Sequence, residues 1–430
     1  MNVRVVLGLK PGRLETCPTF AVPLNSHMSI AAQPSSPAAH STPASRTAGG
    51  RVFNFNAGPS ILPEEVLRQV QGDIWDFQGS GFGIMEHSHR AKVYDDVIRQ
   101  TEADVRAVGN VPANFRVLFM SGGSSSQNFI VPANLLPADK AADYIVTGYW
   151  GQRSYDDADQ WAKSFGGRVH LAATSADTNH SYIPERHNWS GTSDKDKPAY
   201  VHLTTNNTIY GTQWRTASGT ERLPAVPDGV PIVADACSDI YSRPIDFTKY
   251  GLVYASAQKN LGVTGTTIVF VRDDLVESAN ANLPRMLQYR HFAKELSMPN
   301  TPPAFSIYTV GLMAKWIKAQ GGLDALHARN VAKAGVVYAA LDAAPSFYKP
   351  HARTQDRSLM NIVFKCHASK GMTGEGMDAK LMAEAKAQGL DGLAGHRAAG
   401  GMRASLYNAM PHEGAEALGQ FLTDFARRNG

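Results

Sequence analysis

Short apolar runs recur along the chain after residue 52, and each is followed by polar residues or glycine. The runs are rich in Val and Ile and are too short for core helices. Runs of this kind, bounded by turn residues, predict buried β-strands. The predicted strands are FRVLFM (115–120), ADYIVTG (142–148), AYVHLTT (199–205), VPIVADA (230–236), GLVYASA (251–257) and TTIVFVR (266–272).

Helix-like segments lie between several of these strands. This alternation predicts an α/β fold with a large, mostly parallel sheet. The last two strands differ, because only QKNLGVTG joins them and that is too short for a helical crossover. We therefore expect them to be antiparallel or to turn sharply at a special loop. The helix-like segments are Glu64–Gln78, Ala91–Val108, Ser126–Asn134 and Arg153–Phe165.

The pattern changes after Thr301-Pro302-Pro303, where two helical segments follow one another. They are succeeded by the strand-like runs RSLMNIVFKC (357–366) and ASLYNAM (404–410) and by a closing helical segment. This order predicts an N-terminal arm and large domain over residues 51–320, and a smaller C-terminal α+β domain over residues 321–430. The helical segments are Ser306–Gln320, Leu323–Leu341 and Glu413–Arg427.

The first fifty residues have a different composition. From about Ser26 to Gly50 the chain consists mainly of Ser, Ala, Pro and Thr, and Glu15 is the only acidic residue before Glu64. Such a segment cannot bury enough apolar surface to offset the entropy of ordering, so we predict a disordered leader over residues 1–50. Its acid-poor, Ser-rich composition leaves an organellar transit peptide open as an alternative.

Composition narrows the class of protein. The 430 residues are 43% hydrophobic and 19% charged, which is ordinary for a globular protein, and the net charge is only +4. Dispersed basic residues argue against a nucleic-acid surface, and no apolar run is long enough to span a bilayer. The cysteines at 17, 237 and 366 lack the number and spacing of a disulfide framework or a metal site. We therefore expect no metal and a reducing, cytoplasmic location.

The strand ends carry the candidate chemistry, because ligands of open parallel sheets bind outside the carboxyl ends of the strands. Lys259 ends a buried-looking strand, and burial favours the neutral amine that a Schiff base requires. By itself it is more simply explained as a lysine that reaches solvent. Asp235 ends another strongly apolar strand and needs a buried partner. A protonated pyridinium nitrogen would serve, and so would a helix that Asp235 caps.

Three further strand ends fit the same kind of site. SGGSSSQ (121–127) opens a helix, whose free N–H groups suit a phosphate, although a serine-capped turn explains it as well. Trp150 could stack on a flat cofactor ring or lie in the core. Thr208 could donate to a ring hydroxyl or occupy a turn. Their order along the chain, with Lys259 following Asp235 by 24 residues, favours one pyridoxal-phosphate (PLP) site.

At this point the sequence resembles the phosphoserine aminotransferases, a branch of the class V aminotransferases with the type I PLP fold. The resemblance runs from about Val52 to Gly430 and covers all of the chain after the leader. It is carried by FNFNAGPSILPEEVL, MEHSHRAKVY, DYIVTGYWG, VADACSDIYSRPID, YASAQKNLGVTGTTIVFVR, MPNTPPAFSIY and GHRAAGGMRASLYNAMP.

The resemblance implies roles for particular residues. Lys259 would carry the cofactor, and Asp235 would meet its pyridinium nitrogen. Trp150 would stack on the ring. Asn300 and Thr301 would reach the cofactor phosphate of the neighbouring subunit, which implies a homodimer with shared active sites. The phosphate would be held by Ser124, Ser125, Thr208 and Gln258.

One departure concerns the phosphate loop. Many members have GGGRG or similar where this chain has GGSSS, which removes an arginine and makes the role of Ser125 less certain than that of Ser124. The substrate residues implied by the resemblance are Arg90, His396, Arg397 and Arg403. Arginine suits the planar forks of carboxylate and phosphate. The sequence does not tell which arginine meets which group.

The implied reaction is amino-group transfer between L-glutamate and 3-phosphohydroxypyruvate, giving O-phospho-L-serine and 2-oxoglutarate for serine biosynthesis. The resemblance also implies a second activity, the amination of 3-hydroxy-2-oxo-4-phosphooxybutanoate in pyridoxine biosynthesis. The alternatives are a cysteine desulfurase, an alanine–glyoxylate aminotransferase and a non-catalytic binding protein on the same fold. Cys237 and Cys366 look unsuited to a desulfurase, because both lie in or beside strands.

Overall fold

The computed structural model describes residues 46–430. The predicted leader therefore lies outside the described residues except for its last five, and its disorder stays a prediction. Ten α-helices and fourteen short or long strands follow in the described part. The strands are β1 (Phe53–Asn54), β2 (Phe115–Ser121), β3 (Ala141–Val146), β4 (Arg168–Thr174), β5 (Val201–Thr204), β6 (Asn206–Asn207), β7 (Thr212–Gln213), β8 (Ile232–Asp235), β9 (Leu252–Ser256), β10 (Thr266–Arg272), β11 (Tyr348–Pro350), β12 (Asn361–Cys366), β13 (Leu390–Asp391) and β14 (Met402–Ser405).

The helices alternate with the strands through the first two thirds of the described chain. All seven predicted helices are present, with ends displaced by at most four residues. The helices are α1 (Glu64–Trp75), α2 (Lys92–Gly109), α3 (Gln127–Leu135), α4 (Tyr149–Phe165), α5 (Asp273–Ser278), α6 (Tyr289–Lys294), α7 (Ala304–Ala319), α8 (Gly322–Asp342), α9 (Gly374–Ala387) and α10 (His412–Asn429).

A seven-stranded sheet forms the centre of the fold, in the order β2-β10-β9-β8-β5-β3-β4. The pairs from β9 to β4 are all parallel, and β10 is antiparallel to both of its neighbours. All six strands predicted for this sheet are present, and the antiparallel arrangement of β9 and β10 confirms the expectation from their short connection. β4 was not predicted, because its residues are only half-buried and carry no continuous apolar run.

Both faces of this sheet are buried, which explains the continuous apolar runs of its strands. In β2, Val117 and Phe119 belong to the core on one face, and Leu118 and Met120 belong to the core on the other. Successive side chains of a strand point to opposite faces, so each strand supplies both cores.

A second, three-stranded antiparallel sheet has the order β11-β12-β14. One of its faces packs into a separate core with α8, α9 and α10, to which Phe53 and Phe55 of the N-terminal segment also contribute. The segment joins this region through β1, which pairs in parallel with β13. The domain boundary at residues 320/321 falls between α7 and α8 and stays a prediction.

A buried lysine holds the turn that follows β14. The ammonium group of Lys333, on α8, donates to the carbonyl oxygens of Leu406, Tyr407 and Met410 at 3.1, 2.8 and 3.0 Å. Its side chain is only 2% exposed. Three acceptors replace the water that the three N–H groups lose on burial. Lys333 thereby fixes a turn whose Asn408 N–H donates to the side chain of Asn260 at 3.0 Å.

Replacing Lys333 with methionine is expected to lower the free energy of unfolding by about 3 kcal/mol, because three buried carbonyl groups lose their donor. Urea unfolding monitored by tryptophan fluorescence would measure it. Lys315→Met, at an exposed position of α7, is the matched control and should leave the midpoint nearly unchanged. Equal midpoints for the two variants would contradict the role of Lys333.

Candidate active site

A cavity of about 590 Å³, counted with its open mouth, lies at the carboxyl ends of the central parallel strands. Five of the strand-end predictions line it together, although they come from five separate parts of the chain. The residues that line it are Gly123, Ser124, Ser125, Asn128, Trp150, Thr204, Asn206, Thr208, Asp235, Cys237, Ser238, Ser256, Gln258 and Lys259.

Lys259 lies just past β9 and is held on two sides. Its side-chain nitrogen lies 3.1 Å from the hydroxyl oxygen of Thr208, to which it donates. On the other side, the Ser60 hydroxyl donates to the Lys259 carbonyl at 2.6 Å, and the Ser60 N–H donates to the Gln258 carbonyl at 3.0 Å. The N-terminal segment therefore fixes the backbone that carries Lys259, while its amine points toward the cavity.

Asp235 ends β8 and is 7% exposed. Its carboxylate accepts from the Cys237 N–H at 3.0 Å. Burial raises the pKa of Asp235, and the hydrogen bonds from Cys237 and the positive charge of Lys259 oppose that shift. Within residues 46–430 Asp235 forms no salt bridge, so its charge is compensated only in part. A cation placed in the cavity would complete the compensation.

The phosphate loop begins with a short 3-10 turn over Ser124–Ser126 that leads into α3. Ser124 is tied to the floor of the cavity, since its N–H and its hydroxyl lie 2.7 and 2.8 Å from the Ser256 hydroxyl. The Cys237 thiol donates to the same Ser124 hydroxyl at 2.6 Å. Ser125 is exposed at the cavity wall, and the loop is positioned for an anion at a helix start.

Trp150 lies in the first turn of α4 and is half-buried. The prediction that this helix begins at Arg153 was wrong, because α4 begins at Tyr149, directly after an extended glycine at 148. The helix start moves the tryptophan from a loop to a rigid element. Its ring meets Tyr149 edge-on at 5.2 Å, and Tyr149 in turn lies 5.5 Å from the His396 ring.

The residues of the cavity fit the predicted cofactor. A buried carboxylate without a salt bridge, an amine and a flat indole lie around one space, with a loop of N–H and hydroxyl groups beside them. The Thr204 hydroxyl oxygen is also buried at the wall without a hydrogen-bond partner among the described residues. PLP has a ring nitrogen, a hydroxyl, an aldehyde and a phosphate, and this set of groups matches those four features.

The predicted substrate residues divide into two groups. Arg403 on β14 lies near the cavity mouth, where one of its terminal nitrogens is 3.4 Å from the Thr208 carbonyl. Its Nε is buried without a partner in the described chain, and burial lowers the pKa of Arg403. Burial, and then the charges of Arg403 and Arg397, lower the pKa of His396. These three residues are thus close together.

Arg90, Asn300 and Thr301 do not line this cavity. Arg90 is exposed just before α2, and Asn300 and Thr301 are exposed in the segment between α6 and α7. Within one chain, these three residues are therefore not part of the cavity that contains Lys259.

Several cavity residues were not predicted as site residues. Cys237, Ser238 and Ser256 lie within three residues of a strand end, which is the signal that could have found them. Asn128 lies inside α3 and carries no such signal. Asn206 follows the end of β5 by two residues and carries the same signal.

Comparison with known proteins identifies the family. The family described as aminotransferase class V matches residues 52–418. A phosphoserine aminotransferase of Herpetosiphon aurantiacus is 46% identical over 379 residues, which cover 88% of this chain and 99% of the relative. One from Geobacillus kaustophilus is 43% identical over 380 residues, with the same shares.

Solved structures of phosphoserine aminotransferases are similar to this chain over most of its length. The phosphoserine aminotransferase of Bacillus circulans subsp. alkalophilus superposes with a TM-score of 0.79 at 40% identity, covering 88% of this chain and 99% of that one. A PLP-bound phosphoserine aminotransferase from Trichomonas vaginalis gives a TM-score of 0.79 at 34% identity, covering 86% and 99%. The type I fold of PLP enzymes is thereby confirmed. The chain belongs to the class V aminotransferases, a family of PLP-dependent enzymes, and groups there with the phosphoserine aminotransferases.

Proposed function

We propose that this chain transfers an amino group reversibly between L-glutamate and 3-phosphohydroxypyruvate, giving O-phospho-L-serine and 2-oxoglutarate. The observation that supports the proposal is that Thr208 contacts both Lys259 and Arg403. The Thr208 hydroxyl accepts from Lys259, and its carbonyl is 3.4 Å from Arg403. One residue thus joins the cofactor lysine to an arginine that lacks a carboxylate partner among the described residues. The arrangement suits an anionic amino acid bound beside a reactive amine.

The predicted cofactor residues that line the cavity would hold different parts of PLP. Asp235 would face the ring nitrogen, Trp150 would cover the ring, and the serine loop would receive the phosphate. Thr208 and Gln258 would help with the phosphate, as the family resemblance implies. When bound, PLP supplies an electron sink for the electrons released at the substrate α-carbon.

Lys259 has two tasks in the reaction. It holds the cofactor covalently between turnovers, and its freed amine moves the α-proton of the substrate as general base and then acid. The Ser60 contacts to its backbone limit where that amine can reach. Asp235 keeps its negative charge beside the ring nitrogen and so favours the protonated ring.

Arg403, Arg397 and His396 supply positive charge for the substrate acids. The two arginines form no salt bridge within residues 46–430, so their charge is available to a ligand. Arg403 is the more buried of the two, and a buried guanidinium binds an anion more strongly than an exposed one.

We expect Arg403→Gln to lower kcat/KM for O-phospho-L-serine about 100-fold, because a partly desolvated charge pair would be lost. Arg403→Lys should recover part of that loss, since it keeps the charge but not the fork. Steady-state kinetics with saturating 2-oxoglutarate would measure both.

The matched control is Arg285→Gln, which removes an exposed arginine outside the cavity. If the variants at 403 and 285 behaved alike, Arg403 would not be a substrate residue.

A homodimer with shared active sites is part of the proposal. It is supported by the positions of Asn300, Thr301 and Arg90, which are exposed and outside the cavity of their own chain. Side chains in such positions would act on a cofactor or substrate only in the neighbouring subunit. Analytical ultracentrifugation would test the dimer, and mixing inactive Lys259 and Arg90 variants would test the sharing, since hybrid dimers would regain activity.

We propose that the reaction takes place in the cytoplasm as part of serine biosynthesis. We propose transamination of 3-hydroxy-2-oxo-4-phosphooxybutanoate as a second activity. None of the helices within residues 46–430 has the length and apolar character that a bilayer span requires. The second substrate also combines an α-keto acid with a phosphate, so the same arginines would suit it.

A desulfurase is the less suitable alternative, because it needs a nucleophilic thiol. Cys237 is locked to Ser124 in the cavity floor, and burial raises its pKa. Burial and the neighbouring Asp378 also raise the pKa of Cys366, which lies in β12. Thiols of this kind are poor nucleophiles at neutral pH.

The proposal is tested by a coupled assay of 2-oxoglutarate-dependent transamination of phosphoserine. Turnover that exceeds that with alanine or cysteine by a large factor is the expected result. Absence of turnover with phosphoserine, or faster turnover with alanine, would overturn it.

A further inference from the structure

One face of the three-stranded sheet carries a row of cations. Lys349 on β11 lies directly opposite Lys365 on β12, and Arg403 on β14 lies opposite Val363, two residues before Lys365. Residues two apart in a strand share a face and are separated by about 7 Å. Like charges directly opposite one another are unfavourable, so this pair of lysines has an energetic cost that packing does not explain.

The face that carries the row is joined to the active-site cavity through Asn361. On the same face as Val363, the Asn361 side chain accepts from Asn206 at 2.8 Å, and Asn206 lines the cavity. Going outward along β12, the next position on this face is Val363, with Arg403 beside it, and the one after that is Lys365. Lys365 is therefore one step farther from the cavity than Arg403 along this face, and it is exposed to solvent.

The charges of the row are not neutralised by acids. Neither Lys349 nor Lys365 forms a salt bridge within residues 46–430. The charge of Lys365 opposes the rise in the pKa of Asp378 that burial causes, but the buried Asp378 carboxylate accepts from the Cys366 N–H at 2.7 Å and forms no salt bridge with Lys365. Edge strands often carry lysine to prevent aggregation, which would explain Lys349. Lys365, however, is on the central strand.

The loop that carries His396 and Arg397 packs against the aliphatic part of the Lys365 side chain at Gly400 and Gly401. A Cβ atom at Gly401 would be 2.6 Å from the Lys365 Cγ, and Gly401 has a φ of +68°. Only glycine allows this close approach. The Lys365 ammonium is also close to Gly400, since it would lie 3.3 Å from a Cβ atom there. Lys365 is thus adjacent to the proposed substrate loop.

We propose that Lys365, with Lys349 opposite it, attracts the phosphorylated, multiply anionic substrate toward Arg403 and the His396–Arg397 loop. The proposal rests on the proposed function and adds two cations that act on substrate entry rather than on the chemical step. A row of unneutralised cations leading to a cleft raises the local concentration of anions and the rate of association.

The test compares Lys365→Gln and Lys349→Gln with Lys318→Gln, which removes the same charge from an exposed position of α7. We expect Lys365→Gln to lower kcat/KM for phosphoserine about 3- to 10-fold at low ionic strength, with kcat within about twofold of wild type. The deficit should nearly vanish in about 0.5 M salt, because screening weakens exposed charges. Lys365→Arg should behave as wild type, and Lys349→Gln should show a smaller deficit.

A deficit in kcat, a deficit that salt does not reduce, or equal behaviour of the 365 and 318 variants would overturn the proposal. Inorganic phosphate binding to the PLP-loaded protein, measured by calorimetry, gives a readout that does not need turnover. Weaker phosphate binding by Lys365→Gln than by Lys318→Gln supports the cation row even if phosphoserine is not the substrate. Equal binding, or none by wild type, overturns it.

Discussion

Replacing Lys259 with alanine is expected to lower kcat for phosphoserine by about 10⁴-fold or more, because both covalent attachment and proton transfer depend on its amine. The structure gives that amine one hydrogen-bond acceptor, Thr208, and a backbone fixed by Ser60. The visible absorption of protein-bound cofactor should also change, since a cofactor bound without the lysine has a free aldehyde. Stopped assays and absorption spectra of PLP-loaded protein would measure both effects.

Lys259→Arg keeps the positive charge but should be as inactive as the alanine variant, because a guanidinium does not become a neutral nucleophile at neutral pH. Lys318→Ala, at an exposed position, should retain wild-type turnover. Substantial turnover by either variant at 259 would remove this residue from the chemistry.

The second large effect is expected for Asp235→Asn, which keeps the size of the side chain and an acceptor for the Cys237 N–H. We expect kcat to fall about 10³-fold, because the ring nitrogen would lose the charge that keeps it protonated. PLP should also bind more weakly. Titration of cofactor-free protein with PLP, followed by tryptophan fluorescence, would measure the affinity, and Asp235→Glu should recover part of it.

Stability provides an independent readout for Asp235. Burial raises its pKa, so the folded chain without cofactor holds this proton more tightly than the unfolded chain does. The contribution of Asp235 to stability is then greatest below its usual pKa and is lost as pH rises through the raised value. At pH 7 the cofactor-free asparagine variant should therefore unfold at a temperature equal to or above that of wild type.

Adding PLP should reverse the order, since wild type would gain more stabilisation from the cofactor than the variant. A variant that is much less stable than wild type without cofactor would show that Asp235 is mainly structural.

The Ser124–Cys237–Ser256 cluster holds the serine loop from beneath. Three side chains from different strand ends bond to one another beneath the loop. Both the N–H and the hydroxyl of Ser124 are engaged in these contacts, so Ser125 is the serine of the loop that stays exposed at the cavity wall. The ranking of Ser124 above Ser125 as a phosphate ligand stays a prediction, and this geometry weakens its basis.

The sequence by itself determined the α/β fold, the six central strands and the pairing of Lys259 with Asp235. The reason is that strands buried on both faces need continuous apolar runs, so their ends are easy to locate. In this sheet β3, β5, β8 and β9 are neighbours in their chain order, so the residues after them meet at one edge.

Tertiary structure alone decided the rest. It placed Ser124 beside Ser256, although β10 separates β2 from β9 in the sheet, because the loop folds over that strand end. It gave Lys333 its three carbonyls and set Lys365 one step beyond Arg403. No local pattern encodes such contacts, since each depends on how a distant strand or turn is aligned. A lysine on a short strand has the same sequence signature whether it faces open solvent or the path into an active site.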